Sequence, residues 1–379
     1  MDIKNLKNIK NLHVALVYDR VNKWGGAERV LLALHKIFPN APLYTSVYNK
    51  EKAPWAKVFD VRTSFLQNFP YASSSHELYA LLMPFAFESF SFDEFDLVIS
   101  VTSEAAKGII TKPGTFHLCY CLTPTRYLWS GYNDYFKNPV LRFLSKLAVM
   151  YLRAWDKIAS QRPDSFIAIS KEVQKRIKKY YERESIVIYP SVEIVANAQF
   201  KDKKKLNANL LDARRLPYFL IVSRLVGYKK IDLAVKAFNK LGFPLKIIGT
   251  GVQANKLKKR AKANIEFLGN LTDEELISYY ENCIALVFPG EEDFGLTVLE
   301  AQSFGKPVIA FKAGGAIETV IEGKTGEFFH KQDSNYLIEI LKKFDRNNYK
   351  MEESIKNAQN FSYERFEKEF IDFTKNILN

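Results

Sequence analysis

The sequence predicts an α/β protein of two domains, each built on a parallel β-sheet. At 379 residues the chain is longer than a single hydrophobic core usually supports. Short β-rich runs alternate with longer helical patterns, which is typical of strand–helix–strand units. Apolar residues make up 47% and charged residues 26% of the chain, as in folded proteins. Two layers of similar construction are therefore expected.

The predicted strands fall into two sets, one in each half of the chain. The first set comprises residues 13–18, 96–101, 117–122, 165–169 and 185–189. The second set comprises residues 218–222, 245–248, 265–268, 285–288 and 307–310. Between them, residues 192–216 follow Pro190 and contain a lysine-rich run at 201–205, which is typical of a linker. We therefore expect domains at residues 1–195 and 196–360.

The C-terminal segment predicts an amphipathic helix. Ser362 can serve as its N-cap, and apolar residues recur at positions 366, 370, 373 and 377. The sequence does not show what this helix packs against.

The net charge of +13 is concentrated in the first half. Residues 137–183 hold 12 basic and 4 acidic side chains, a surface that could meet an anionic membrane, a diphosphate-linked acceptor, nucleic acid or only water. Residues 141–158 predict a helix, with basic residues between apolar ones at 141, 144, 148, 151, 152, 155 and 158. Such a helix can lie on a membrane, but we expect it to cover a protein core.

Several classes of protein are disfavoured by the sequence. The longest apolar run, residues 78–87, is well short of the roughly 20 residues that a membrane span requires. Residues 13–17 are too short for the apolar region of a signal peptide, so we expect a cytoplasmic protein, with peripheral contact at the inner membrane face as an option. Cys119, Cys121 and Cys283 are too few for a disulfide framework or a zinc site and are interpreted as buried thiols.

Residues 288–301 carry the strongest functional signal. A strand ends at Phe288, an acidic loop follows, and a helix is predicted to begin near Gly295. The free amides of Gly295, Leu296 and Thr297 at such a helix start can bind phosphate oxygens without a metal ion. This geometry suits a diphosphate.

Four charged residues complete the predicted site. Glu292 in the loop and Glu300 on the helix are spaced to address opposite ends of a ligand, the transferred sugar and a ribose. Taken alone, two such glutamates are more simply read as surface acids. Arg224 and Lys229, however, follow a strand of the same sheet, and two fixed cations can stabilise a leaving nucleoside diphosphate.

The run from Ser223 to Gly326 resembles the retaining GT-B glycosyltransferases of family 4, which are defined by an E-x7-E pair matched by Glu292 and Glu300. The resemblance implies two facing Rossmann-like domains with the donor in the cleft between them, and a C-terminal helix, residues 361–379, that returns to the first domain. It adds further donor-binding residues to Gly295, Leu296, Thr297 and Glu300, namely Gly249, Gly251, Asn270 and Phe294.

The first half resembles the family more loosely. Gly25 and Gly26 match a glycine-rich loop that closes over the donor phosphates. Leu122 stands where many relatives have a histidine that touches the sugar, a departure that suggests an altered donor, an altered mechanism or a supporting subunit of low activity. The segment after it implies four residues on the acceptor side: Thr123, Arg126, Tyr127 and Trp129.

The resemblance implies same-face attack by an acceptor hydroxyl, with no metal or other cofactor and with the leaving phosphate helping to remove the proton. The Thr-Pro segment and the Trp155-Asp pair resemble those of GDP-mannose-dependent mannosyltransferases of surface-polysaccharide assembly. This resemblance implies GDP-mannose as donor and a saccharide or lipid-linked saccharide as acceptor. Two alternatives remain: a sugar-nucleotide 2-epimerase on the same architecture, and a nucleic-acid-binding protein. The E-x7-E context disfavours the first, and the lack of an aromatic RNA motif or clustered zinc ligands disfavours the second.

Overall fold

The computed structural model describes residues 12–192 and 217–378. The linker predicted at 192–216 therefore lies outside the described residues, apart from Val192. The chain divides into two compact units. Unit 1 comprises Met1–Ser191 together with Tyr363–Asn379, and unit 2 comprises Val192–Ser362.

Unit 1 contains a seven-stranded parallel sheet in the order β3-β2-β1-β4-β5-β6-β7. The central strands β1 and β4 are buried at every position, as expected for parallel strands covered on both faces. The strands are β1 Val14–Tyr18, β2 Leu43–Thr45, β3 Val61–Thr63, β4 Leu97–Thr102, β5 Phe116–Cys121, β6 Ser165–Ala168 and β7 Ile186–Val187.

The helices of unit 1 connect these strands. They are α1 Gly26–Ile37, α2 Met83–Glu88, α3 Tyr132–Tyr135, α4 Pro139–Leu144, α5 Lys146–Ala159 and α6 Lys171–Tyr181. Short 3-10 helices span Pro54–Val58, Phe65–Asn68, His76–Leu82 and Ala106–Gly108.

Unit 2 contains a six-stranded parallel sheet in the order β10-β9-β8-β11-β12-β13. Its strands are β8 Tyr218–Val222, β9 Leu245–Ile248, β10 Ile265–Gly269, β11 Cys283–Phe288, β12 Val308–Phe311 and β13 Gly326–Phe329. Its helices are α7 Ile231–Leu241, α8 Ala254–Arg260, α9 Asp273–Asn282, α10 Leu296–Ser303, α11 Ala316–Thr319, α12 Ser334–Lys343 and α13 Met351–Gln359, with 3-10 helices at Gly227–Lys229 and Arg346–Asn348.

The C-terminal helix α14, Tyr363–Leu378, belongs to unit 1. Phe366 and Phe370 are fully buried. The ring of Phe366 lies 6.2 Å from that of Tyr120 in β5, and the ring of Phe370 lies 6.3 Å from that of Phe38. The predicted apolar stripe therefore packs on the first unit.

All ten predicted strands are present, with ends shifted by up to two residues. The strand predicted at 185–189 is the one that differs most in length: it is only two residues long, Ile186–Val187, and pairs with β6. The sequence analysis missed β2, β3 and β13. These strands have three or four residues each, too few for a period-two pattern to be visible.

The helix predicted at 141–158 differs from the structure in two ways. It is divided into α4 and α5 at Ser145. The expectation that its apolar residues cover a core is wrong for Leu144, Tyr151 and Ile158, whose exposed fractions are 71%, 42% and 62%. The buried stripe of α5 includes Asp156, whose charge is paired with buried Lys107, and no sequence pattern revealed that pairing.

The three cysteines are buried free thiols, as predicted. Burial raises the pKa values of Cys119 and Cys283 to about 12, so these thiols stay protonated at neutral pH. Across residues 12–192 and 217–378, no helix combines the length and the apolar character needed to cross a bilayer.

Candidate functional site

The predicted charged residues of unit 2 meet where the strand order of its sheet reverses. From β8 the chain first builds outward through β9 and β10, and then returns to β11 on the other side of β8. The loops that follow β8 and β11 therefore diverge at the carboxyl edge of the sheet, where open α/β sheets bind ligands. The first loop carries Arg224 and Lys229, and the second carries Glu292.

Lys229 and Glu292 form an ion pair across these loops, between Nζ and Oε2. Their side chains are only 11% and 20% exposed. A charge pair that is mostly withdrawn from water is screened less than a surface pair. The Lys229 ammonium is thus held at the strand reversal by Glu292, a carboxylate that the sequence predicts to bind the sugar.

Gly290 explains how the two loops come so close. A Cβ at this position would lie 2.8 Å from Cα and 2.9 Å from the carbonyl oxygen of Lys229. Only glycine permits this backbone approach without displacing one of the loops. Sequence reasoning missed Gly290, although its place directly after the Phe288-Pro pair was a usable signal.

Tyr228 links the two predicted cations. Its hydroxyl accepts a hydrogen bond from Nη2 of exposed Arg224 at 2.6 Å. The Lys229 ammonium lies 5.3 Å from the centroid of its ring. Tyr228 therefore orients both cations, a role that its position between them in the sequence could have suggested.

The helix that begins after the acidic loop has an open N-terminus. α10 starts at Leu296 behind Gly295, which has a φ of 88° and provides no side-chain cap. The amide of Val298 is bonded to the carbonyl of Gly295 at 3.0 Å, whereas the preceding amides have no acceptor within a helix. With no acidic residue in the first turn, the helix dipole and the amides of Leu296 and Thr297 favour an anion.

Glu300, in the second turn of α10, is held by a buried tyrosine. The hydroxyl of Tyr280 donates to Oε2 of Glu300 at 2.7 Å. The Tyr280 ring is 3% exposed and stacks on Phe304 with centroids 5.6 Å apart. The carboxylate therefore has one oxygen anchored by α9. Sequence reasoning missed Tyr280, and no local pattern pointed to it.

The other predicted donor-binding residues of unit 2 lie around this edge. Gly249 and Gly251 follow β9 and allow its loop to lie against the segment carrying Arg224; a Cβ on Gly249 would be 2.0 Å from the carbonyl oxygen of Ser223. Asn270 is exposed directly after β10. Phe294 is 3% exposed and its ring packs 5.7 Å from Phe361, so its visible role is packing.

The unit 2 residues of this site lie within a region of the sequence that matches a known family model. Residues 202–361 match the family model described as "Glycosyl transferases group 1". This matched region, residues 202–361, is called the group 1 domain below. Among residues 12–192 and 217–378, no three His, Cys, Asp or Glu side chains are grouped so that they could hold a metal ion.

Curated relatives of the group 1 domain include several sugar transferases. The chain is 30% identical over 194 residues to an uncharacterized glycosyltransferase of Methanocaldococcus jannaschii, covering 50% of this chain and 52% of the relative. It is 28% identical over 161 residues to the O-antigen chain mannosyltransferase C of Escherichia coli, covering 40% and 42%. The D-rhamnosyltransferase WbpZ of Pseudomonas aeruginosa is 25% identical over 195 residues, with 49% of each chain covered. The chain thus spans about half the length of the curated relatives it matches.

Solved structures extend the likeness from the group 1 domain to nearly the whole chain. The Anabaena protein Alr3699/HepE in complex with UDP and glucose aligns with a TM-score of 0.70 and 18% identity, covering 96% of this chain and 99% of that one. A sucrose-phosphate synthase of Thermosynechococcus elongatus aligns with a TM-score of 0.71 and 16% identity, with coverage of 96% and 99%. Together with the two Rossmann-like sheets, this confirms the predicted α/β fold of the GT-B class.

The remaining predicted residues lie in unit 1, outside the group 1 domain. Gly25 and Gly26 form the start of α1, whose buried Glu28 accepts a hydrogen bond from the hydroxyl of Tyr18 at 2.6 Å. Leu122, directly after β5, is 8% exposed.

The predicted acceptor-side residues Thr123, Arg126, Tyr127 and Trp129 all follow β5. Trp129 is engaged in packing: its indole N–H donates to Asp156 Oδ2 at 2.7 Å, and its ring stacks on Tyr180 at 5.3 Å. Thr123 is 5% exposed, and its hydroxyl has no hydrogen-bond partner in the described part of the chain.

Unit 1 has its own strand reversal, between β1 and β4. There Arg20 and Glu104 form an ion pair at 2.6 Å, with side chains 13% and 22% exposed. Burial opposes the charge on Arg20, but Glu104 outweighs it and raises the pKa of the guanidinium. The sequence analysis singled out neither residue, because their pairing depends on the strand order that brings the loops after β1 and β4 together.

Proposed function

We propose that the chain is a glycosyltransferase that moves a sugar from a nucleotide diphosphate donor to a saccharide or lipid-linked saccharide acceptor. The observation that carries this proposal is the Lys229–Glu292 ion pair at the strand reversal of the group 1 domain, in the loop just before the open start of α10. A nucleoside diphosphate presents the negative charge that suits such cations and amides.

The described contacts support a division of roles. Arg224 and Lys229 neutralise the diphosphate, and the amides of Gly295 to Thr297 bind its oxygens. Glu300, with one oxygen anchored by Tyr280, accepts hydrogen bonds from ribose hydroxyls. Glu292 keeps the Lys229 ammonium in place and orients the transferred sugar.

In the proposed reaction the bond between the sugar carbon and the diphosphate oxygen breaks while the acceptor oxygen bonds to the same carbon from the same face. The acceptor proton passes to the departing phosphate, so atoms and charge balance. Fixed cations stabilise the charge that develops on the leaving group. The proposal includes retention of configuration and independence from metal ions, as expected from the family resemblance.

GDP-mannose is the proposed donor, and surface polysaccharide or glycan assembly is the proposed setting. The mannosyltransferase and rhamnosyltransferase names among the relatives support this choice. The HepE structure is a complex with UDP and glucose, which makes a UDP-sugar the main competing donor. The proposed location is cytoplasmic, as the sequence predicts.

The first experiment is a thermal-shift panel of UDP-, GDP- and ADP-sugars with wild-type protein, followed by a transfer assay with the donor that stabilises most. GDP-mannose should raise the melting temperature, and chelator should leave the transfer rate unchanged. The anomeric configuration of the product, determined by NMR, should match that of the donor. If no nucleotide sugar stabilises the protein, the proposed donor site is wrong.

A further inference from the structure

Helix α5 carries an apolar stripe that faces water. Leu147, Met150, Tyr151 and Ile158 are 79%, 56%, 42% and 62% exposed. Their spacing of three, four and seven residues, with exposed Ala154 between them, places them on one helix face. The opposite face is buried through Val149, Leu152, Asp156 and Ala159. The helix is therefore apolar on both sides, although only one side packs against the protein.

Exposed apolar residues also lie on neighbouring elements. In α4, Val140, Phe143 and Leu144 are 65%, 77% and 71% exposed. The segment made of His76–Leu82 and α2 exposes Leu78, Leu81 and Phe85 by 73%, 46% and 55%. Single exposed apolar residues are ordinary, but clusters on adjacent elements mark an interaction surface.

Two contacts show that the 76–88 segment lies beside α5. Ala80 packs on the small cluster formed by Leu128, Val149 and Leu152. The indole N–H of Trp155 donates to Oε1 of Glu88 at 2.8 Å. The exposed apolar residues of α4, α5 and 78–85 are together called the apolar surface below.

The exposed charges on α4 and α5 are all positive, whereas Glu77, beside Leu78, is an exposed acid. Residues 137–159 contain five basic residues and one acid, Asp156. That acid is 1% exposed and pairs with Lys107 at 2.5 Å, so it contributes no negative charge to the surface. Lys146, Arg153 and Lys157 recur at seven- and four-residue intervals and border the exposed stripe along one flank. Glu182, directly after α6, pairs with Lys157 at 2.9 Å.

We propose that the apolar surface docks on an anionic lipid bilayer, with α5 lying along the membrane plane. The exposed stripe enters the boundary between headgroups and acyl chains, while the basic flank contacts lipid phosphates. A second copy of the chain is a poorer occupant, because two basic flanks would meet with no exposed acid on residues 137–159 to pair with them. The inference concerns a binding surface of unit 1 and does not depend on the proposed transfer reaction.

Vesicle co-sedimentation of the full chain tests this directly. We expect binding to vesicles of phosphatidylcholine with 30% phosphatidylglycerol and little binding to pure phosphatidylcholine. Binding should weaken between 50 mM and 500 mM salt, because the electrostatic part is screened. Absence of binding to the anionic vesicles at 50 mM salt overturns the proposal.

Apolar variants test whether this surface is responsible. Leu147→Glu with Ile158→Glu should lower vesicle affinity at least tenfold, because both side chains leave the bilayer boundary. Both positions are more than 60% exposed, so the fold should tolerate the change. The matched control is Val58→Glu with Ile110→Glu, two unit 1 positions that are 55% and 52% exposed and that should retain most of the affinity.

Charge variants test the basic flank. Lys146→Gln with Lys157→Gln should reduce affinity about tenfold. Lys258→Gln with Lys259→Gln removes the same net charge from exposed positions of α8 and should have little effect. Equal losses in both pairs would mean general charge attraction and would overturn the assigned surface.

Sedimentation velocity without lipid tests whether a second copy of the chain binds the apolar surface. A concentration-dependent dimer that Leu147→Glu with Ile158→Glu abolishes would show that a second copy covers the surface instead. Thermal shift with nucleotide sugars should be unchanged in the same variants. Loss of vesicle binding with intact nucleotide binding therefore separates this inference from the proposed function.

Discussion

The strand reversals of the two sheets have the same topology but different chemistry. In each, an ion pair joins the loops that diverge at the reversal: Arg20–Glu104 in unit 1 and Lys229–Glu292 in unit 2. In unit 1 the buried Asp19 accepts hydrogen bonds from the hydroxyl of Thr102 and from backbone amides at distances of 2.7 to 2.9 Å. The donating amides are those of Ser103, Ala105 and Ala106.

Asp19 thus acts as an internal anion for the loop after β4. At the start of α10 the N-cap is Gly295, and the described residues of unit 2 place no side-chain cap there. Backbone amides that converge at a loop or helix start attract negative charge in either case. The comparison supports the unit 2 reversal as the proposed ligand site, because the amides at the unit 1 reversal are already bonded to Asp19 whereas the start of α10 has no side-chain cap.

The largest expected effect is on catalysis at the unit 2 reversal. Lys229→Ala should reduce the transfer rate about a thousandfold, because it removes a fixed cation from the leaving diphosphate. Lys236→Ala, which changes an exposed lysine on α7, is the matched control and should retain wild-type rates. Unchanged transfer by Lys229→Ala in a steady-state assay would remove Lys229 from the proposed mechanism.

A substitution at the unit 1 strand reversal should affect the stability of the fold rather than catalysis. Asp19→Asn puts an amide donor against amides that need an acceptor, and should lower the free energy of unfolding of unit 1 by about 3 kcal/mol. Urea unfolding followed by circular dichroism measures this, with exposed Asp60→Asn as the control. The thermal shift caused by nucleotide sugars should persist; its loss, with stability intact, would make the Asp19 site a ligand site after all.

Acid should also affect unit 1 more than unit 2. Burial next to Arg162 and Arg183 lowers the pKa of His117 to about 3, and burial next to Arg20 lowers that of His76 to about 4. In unfolded chains histidine has a pKa of about 6.5, so protons bind the unfolded state first. The contribution of these two histidines to the stability of unit 1 is therefore complete above about pH 6.5 and is lost progressively as the pH falls towards their folded pKa values.

At pH 5 the His117 contribution alone should cost about 2 kcal/mol. His117→Gln should flatten the pH dependence of the urea midpoint between pH 7 and pH 5. Unit 2 contains only His330, which is exposed. A mid-range pH dependence of equal size in unit 2 would contradict this explanation.

The smallest expected effect concerns the anchoring of Glu300. Tyr280→Phe removes the hydrogen bond to its carboxylate and should weaken nucleotide-sugar binding about fivefold, corresponding to about 1 kcal/mol. Tyr218→Phe removes a hydrogen bond to the carbonyl of Tyr279 and serves as the control. Isothermal titration of both variants measures the difference, and equal affinities would mean that Tyr280 only packs.

Much of the fold and part of the candidate site followed from local sequence patterns. Buried strands such as β8 and β11 are continuous apolar runs, and a strand–loop–helix boundary at Gly295 is visible as a change of pattern. The spacing of Glu292 and Glu300 is a property of one loop and one helix. The order of these features along the chain was enough to place the predicted charges at one sheet edge.

Long-range pairings were decided only by the tertiary structure. Strand order brings Lys229 to Glu292 and Asp19 to the loop after β4, and α9 brings Tyr280 to Glu300. Helix α5 has two apolar stripes, and its sequence contains no information about which one a neighbouring element covers. The physical reason is the same throughout: local patterns determine which surfaces need a partner, while the partner is selected by packing between segments distant in sequence.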